Sequence, residues 1–221
     1  MKARLVVLAG TGTEIGKTHL AEALLLAMGD AGLRVAGLKP VESGVGTGES
    51  DRARLSRAST FQAQPFGVAL KAPVSPHRAA REEGVALPLE ALAAGIEATR
   101  SGTDFVLVEL AGGLFTPLSE VALNVDFARR LAPDFLLLVA PDRLGVLHDV
   151  LATTRAAVAT ALRIDGVALV EPDHRDASTG TNAAELAPFT PVPVLTTVPR
   201  GGPSALARHP SIAVIVAALR R

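Results

Sequence analysis

The sequence predicts a three-layer α/β fold, with a mostly parallel central sheet and helices on both faces. Short continuous apolar runs recur along the chain, as expected of strands buried on both sides. Longer Ala- and Leu-rich segments separate them and read as helices. Hydrophobic residues make up 48% of the 221, enough for a sizeable core. Such alternation implies parallel strands, because a crossover helix must carry the chain back across the sheet. One domain over residues 1–221 is the expected organisation.

The first strand is the apolar run at residues 5–9. Residues 17–31 follow as a helix that stops near Gly32, and residues 35–38 form a second strand. Residues 51–58 look helical, as do 89–99, which follow Pro88. Residues 105–108 and 135–140 are the third and fourth strands, and 146–162 a long helix. Residues 167–170 form a fifth strand and 192–195 a sixth. Residues 211–220 close the chain as a helix with basic residues at its C-terminal end, where the helix dipole favours them. The polar stretches 43–50 and 171–181 read as surface loops, the usual carriers of function in such folds.

Composition removes several classes of function. Lys plus Arg and Asp plus Glu are equal at 22, so nothing in the bulk charge points to nucleic acid or an anionic membrane. Aromatic residues are 3%, with no Trp or Tyr, which leaves little for base stacking. The absence of Cys excludes disulfides, thiolate metal sites and Cys nucleophiles. It also fits a reducing cytosol. The apolar run behind Met1, Lys2, Ala3 and Arg4 is too short for a secretory leader, and no stretch is apolar enough to span a bilayer. A cytoplasmic location is expected.

The chemistry lies at strand ends, where parallel sheets bind ligands. After the first strand comes Gly10-Thr11-Gly12-Thr13-Glu14-Ile15-Gly16-Lys17-Thr18. Glycines let the backbone turn its N–H groups inward, and the following helix presents its positive end, which together make a nest for phosphate oxygens. Lys17 would reach the β- and γ-phosphates, and the Thr18 hydroxyl would bind Mg2+. The glycine spacing departs from the common G-x-x-x-x-G-K-[ST] pattern, whether counted from Gly10 or Gly12. The second strand ends in Lys39-Pro40-Val41-Glu42-Ser43-Gly44, which offers a cation to a reacting anion. Asp51 opens a helix, where Asp is a common N-cap. The third strand ends in Glu109, a carboxylate placed to hold Mg2+, followed by Gly112 and Gly113. Such a buried carboxylate needs a cation partner.

These motifs resemble those of the dethiobiotin synthetases, a family of P-loop NTPase fold. The loop is similar to the family's G-T-x-T-x-[VI]-G-K-T, with Gly12 where Asp is usual. Lys39 to Gly44 resembles K-P-[VI]-x-[ST]-G, and Ser75-Pro76-His77 matches the family's S-P-H stretch beside the substrate site, where a positioning role is expected of His77. Glu109 to Leu118 nearly reproduces V-E-G-A-G-G-x-x-x-P-L, with Leu110 replacing the first Gly. No lysine precedes Lys17 in its loop, unlike the partition and septum-site ATPases. The resemblance implies ATP and Mg2+, 7,8-diaminononanoate and CO2 as the other substrates, and a homodimer with active sites at its interface. It implies Lys39, Lys17 and Thr13 in catalysis. Nucleotide contacts fall on Gly12, Thr13, Glu14, Ile15, Gly16, Lys17, Thr18, His19, Asp51 and Pro199. Substrate contacts fall on Ser43, Lys39, Gly112, Gly113, Gly145 and His148, and metal ligands on Thr18, Asp51 and Glu109.

Two departures carry consequences. His148 and Asp149 stand where the family has Asn-His at the site of the substrate carboxylate; a His still donates to a carboxylate. Val170 or Glu171 stands where an Asn commonly reads the adenine edge. Neither reproduces a paired amide donor and acceptor, so base selection is expected to be loose or left to backbone groups near 197–201. A nucleotide switch acting on a protein, or another ATP-dependent amide ligase of this superfamily, are the alternatives.

Overall fold

The computed structural model describes residues 2–46 and 48–221. Its centre is a six-stranded sheet with every pair parallel: β1 (Arg4–Gly10), β2 (Val35–Leu38), β5 (Phe105–Gly113), β6 (Phe135–Pro141), β7 (Gly166–Val170) and β8 (Val194–Val198). The spatial order is β2-β5-β1-β6-β7-β8. The segments β3 (Val41–Ser43) and β4 (Val68–Leu70) form a small parallel pair beside it.

The strand alternation builds two cores. In β1, Val6 and Leu8 face one side and Leu5, Val7 and Ala9 the other. The first side packs on α1 (Lys17–Asp30), α2 (Asp51–Ala58), α8 (Pro203–Leu206) and α9 (Pro210–Leu219) through Leu20, Leu24, Leu55, Leu206 and Ile215. The second side packs on α3 (Pro76–Glu83), α4 (Leu89–Thr99), α5 (Asn124–Leu131), α6 (Val146–Ala159) and α7 (Asn182–Leu186). All six predicted strands lie in this sheet, and helices cover both of its faces.

The boundaries differ where local backbone intervenes. β5 does not stop at Glu109 but runs on to Gly113, with a shift in its register against β1 between Leu8 and Gly10. The sixth strand is Val194–Val198 and not 192–195, because Pro193 has no N–H to give to a ladder. The long helix ends at Ala159, and Ala161 then takes a positive φ of 55°. The short elements β3, β4, α3, α5, α7 and α8 have no counterpart among the segments expected from sequence.

Because β1 lies between β5 and β6, its crossover to β2 leaves on one side, while the chain from β5 to β6 passes to the other. The crevice at the C-terminal end of β1 is the switch point at which such sheets bind ligands.

Candidate active site

The loop between β1 and α1 closes on that crevice. Gly16 is the N-cap of α1, with φ +88° and no side chain to satisfy the first N–H groups of the helix. Those groups stay available to an anion. A Cβ on Gly16 would lie 3.1 Å from Val170 Cγ1, so close packing and positive φ both require glycine here.

Around this loop lies a cavity of about 380 Å³, lined by loop residues 13–18 and by Lys39, Ser43, Asp51, Arg54, Glu109 and Gly112. Lys39 Nζ bridges its two carboxylates. It donates to Glu109 Oε1 at 2.9 Å and also to Asp51 Oδ2. Thr18 Oγ1 donates to the same Glu109 oxygen at 2.9 Å. Burial opposes the charge on Lys39, but Glu109 and Asp51 outweigh it and hold its pKa above the ordinary lysine value. Burial likewise works against the Asp51 carboxylate, and the Lys39 hydrogen bond overrides it and lowers the pKa. Lys17 is less well compensated. Burial pushes it down to about 8, against a smaller opposing pull from Glu109, and Nζ donates to the Gly12 carbonyl at 2.8 Å.

Asp51 is not the N-cap of α2. Ser50 takes that role, accepting from Ala53 N at 3.1 Å. Glu42 of β3 accepts the Asp51 N–H at 2.7 Å and the Arg52 N–H at 3.3 Å. With both capping tasks met, the Asp51 carboxylate turns to the cavity.

Thr18, Asp51 and Glu109 offer a hydroxyl and two carboxylates, the hard oxygen donors suited to Mg2+. Glu109 is 1% exposed and its Oε2 has no hydrogen-bond partner, as a ligand oxygen held for a cation would be. The residues fit the ion.

A further part of the wall is the glycine turn at the end of β5. Gly112 has φ +73°, and an added Cβ would sit 2.9 Å from Thr116 Oγ1, the atom that accepts the Gly113 N–H. A Cβ on Gly113 would be 3.2 Å from the Thr11 carbonyl oxygen, so this turn packs directly on the phosphate loop. Asn124, fully buried at the start of α5, donates to the carbonyls of Ala111 at 2.6 Å and Gly113 at 2.9 Å and holds the turn.

A model described as an AAA domain matches residues 4–204. An ATP-dependent dethiobiotin synthetase BioD from Rhodopirellula baltica is 38% identical over 89% of this chain and 84% of its own length. The enzyme of the same name from Pseudomonas paraeruginosa is 37% identical over 90% and 92%. This chain belongs to the dethiobiotin synthetase family. Among solved structures, a ParA family ATPase from Chlorobium tepidum TLS superposes with a TM-score of 0.61 at 14% identity, over 100% of this chain and 98% of that one. The septum site-determining protein MinD of Pyrococcus horikoshii gives 0.57 at 16%, over 98% and 94%. At these identities the likeness is one of P-loop fold.

In this member of the dethiobiotin synthetase family a second, larger cavity of about 890 Å³ continues from the loop past His19, Val170, Glu171, Pro199, Arg200 and Gly201. His19 Nε2 contacts the Gly201 carbonyl. Neither residue at the usual Asn position is free to read a base. Val170 packs on Gly16, while Glu171 is tied to Arg175 at 2.5 Å and to the Arg200 N–H at 3.1 Å.

Five sequence-based site residues line neither cavity: Gly12, which belongs to the phosphate loop, Gly113, which packs on it, and Gly145, His148 and His77. Gly145 and His148 are exposed at the start of α6. His77 instead hydrogen-bonds Ser75 Oγ at 3.0 Å at the start of α3. Glu22, Glu42, Arg54 and Asn124 escaped the sequence reading because their partners are distant in sequence and lie on other elements.

Proposed function

We propose that the chain catalyses ATP-dependent closure of the ureido ring of dethiobiotin, from 7,8-diaminononanoate and CO2, in biotin biosynthesis. The names of its relatives support this reading, and so does one observation: Lys39 Nζ between the Asp51 and Glu109 carboxylates, beside a phosphate loop and facing a glycine turn.

One amine of the diamine adds to CO2 and loses a proton, giving a carbamate. A carbamate oxygen attacks the γ-phosphorus of ATP, the bond to the β,γ-bridging oxygen breaks, and ADP leaves. The second amine then attacks the carbonyl of the carbamic–phosphoric anhydride and loses a proton, and phosphate departs as the ring closes. Negative charge crowds at the transferring phosphoryl, so the chain must gather cations there. Lys17 and Lys39 supply two, and the N–H groups of 12–18 add fixed dipoles. Thr13, in the wall shared by both cavities, lies beside the phosphates in this reading. Magnesium, held by Thr18, Asp51 and Glu109, would neutralise the β- and γ-oxygens. Lys39 serves carbamate and phosphoryl together and favours their approach. No side chain acts as nucleophile, since the carbamate does.

Ser43, Gly112 and Gly113 are proposed to hold the diamine. Leu144, Gly145 and His148, all exposed, support a homodimer in which this edge completes the site for the substrate carboxylate. Among the described residues no helix is long and apolar enough to cross a membrane. Use of ATP supports a cytoplasmic site of action. Incubation with the diamine, bicarbonate and MgATP should yield dethiobiotin by mass spectrometry; a folded protein that forms none refutes the assignment.

A further inference from the structure

Arg54 was not needed for any step above, yet it lines the phosphate cavity beside Lys39 and Asp51. It stands one turn along α2 from Asp51, and its NH1 lies 3.5 Å from Asp51 Oδ1. Its NH2 donates to Glu22 Oε2 at 2.5 Å. Glu22 is 5% exposed by side chain, on α1, four residues after Thr18 and so on the same face of that helix. A carboxylate this deep needs a cation, and a helix–helix ion pair would meet that need without reaching the cavity. Arg57 does this at the rim, contacting Glu22 at 3.5 Å and Glu49 from a side chain 62% exposed. Arg54 differs. Its planar fork is held at one corner by Glu22, while the other, NH1, lies beside Asp51 Oδ1 on the wall of the cavity. A guanidinium fixed this way matches phosphate geometry with two or more donors, which a mobile lysine does not.

We propose that Arg54 is a third cation of the phosphoryl site, contacting the γ-phosphate end of the bound triphosphate, and that Glu22 positions it from α1. The assignment rests on the reading of this cavity as the triphosphate site. The substrate contact is Arg54's; Glu22 acts through it. The side-chain charges then match the task. Lys17, Lys39 and Arg54 face Glu14, Asp51 and Glu109 across the cavity, and without the third cation the side chains would leave a net negative wall for a polyphosphate.

The test compares two probes by calorimetry in magnesium buffer: ADP, and an ATP analogue with a non-hydrolysable β,γ bridge. Arg54→Ala should weaken the triphosphate analogue by about tenfold or more, the loss of one charge-assisted contact, and ADP by no more than about twofold. Glu22→Gln, which keeps the arginine and loosens its anchor, should shift the same ratio by a smaller factor. Arg54→Lys keeps the charge without the fork, and it decides the matter should the alanine variant not fold. Its expected loss is about threefold, again confined to the triphosphate. Equal weakening of both nucleotides, or an unchanged triphosphate affinity, would overturn the assignment and leave Arg54 as a strut between α1 and α2. Dethiobiotin formation by the wild-type protein tests the functional reading separately, so failure of one is distinct from failure of the other.

Discussion

Lys39 Nζ and Glu109 Oε1 lie 2.9 Å apart with side chains 8% and 1% exposed, so each charge is the main reason the other can be buried. The pair joins Lys39, just after β2, to Glu109 within β5, and the two strands are adjacent in the sheet. Breaking it should have two separable effects. Lys39→Ala strands Glu109, at a cost of about 3–5 kcal/mol, and should lower the melting temperature by several degrees. Turnover should be lost while nucleotide affinity stays within about tenfold, since the loop N–H groups and Lys17 remain. The double variant Lys39→Met with Glu109→Gln should recover melting temperature without recovering turnover. Restored turnover in either variant removes Lys39 from the chemistry.

The nucleotide base meets no amide side chain at 170 or 171. Val170 supports Gly16, and Glu171 is engaged by Arg175 and by the Arg200 backbone. If the base lies in the larger cavity, the main chain around Pro199 and Gly201 and the charged side chains of Arg143, Asp173 and Arg200 line it, and none of them is an amide with a paired donor and acceptor. Steady-state kcat/KM for CTP, GTP and UTP should therefore fall within about tenfold of that for ATP, a span of about 1.4 kcal/mol. A preference for ATP of several hundredfold would contradict this.

Five of the sheet strands were legible because each is a buried apolar run, whereas β8, an edge strand with Thr196 and Thr197 and only part-buried, was misplaced by two to three residues; the phosphate loop was legible because glycines and Gly-Lys-Thr stand at a strand–helix junction. The role of Asp51 was not, since Ser50 and Asp51 are both good N-cap residues and only the Ser50 bond to Ala53 N separates them. Glu22 with Arg54, and Asn124 with Gly113, are equally silent in sequence. Each links elements that only the fold brings together, through a side chain whose type alone suggests an exposed surface residue. Gly145 and His148 lie on an exposed edge, so one chain alone does not reveal what they hold.

Asp176 organises the loop after β7. It accepts from Ser178 Oγ at 2.6 Å, Leu144 N–H at 2.8 Å and Ser178 N–H at 2.8 Å. These bonds, the Ser178 hydroxyl first, draw its pKa down to about 2. A depressed carboxylate contributes stability that is present above its unfolded value, near 3.9, and lost as pH falls through the folded value. The carboxyl carbon of Asp176 should thus titrate near pH 2 by NMR, and amide protection at Leu144 should persist at pH 4. In Asp176→Ala that protection should be absent at neutral pH. A midpoint near pH 4 would mean the Leu144 contact does not persist in solution.

Asn124 offers the sharpest separation of the two substrate sites. Its amide holds the Ala111 and Gly113 carbonyls, and so fixes the turn whose Gly112 lines the cavity beside the phosphate loop. Asn124→Ala leaves two buried carbonyls without their donor, a cost of about 2–4 kcal/mol. The Gly112 backbone, at φ +73°, should then relax. KM for the diamine should rise by about tenfold or more, with nucleotide affinity changed by less than about threefold, because α1 and its loop keep their own supports. Asn124→Asp should fare worse than alanine, since a carboxylate would face two carbonyl oxygens in a fully buried position. Should nucleotide affinity fall in parallel with diamine KM, the glycine turn supports the phosphate loop and not the diamine.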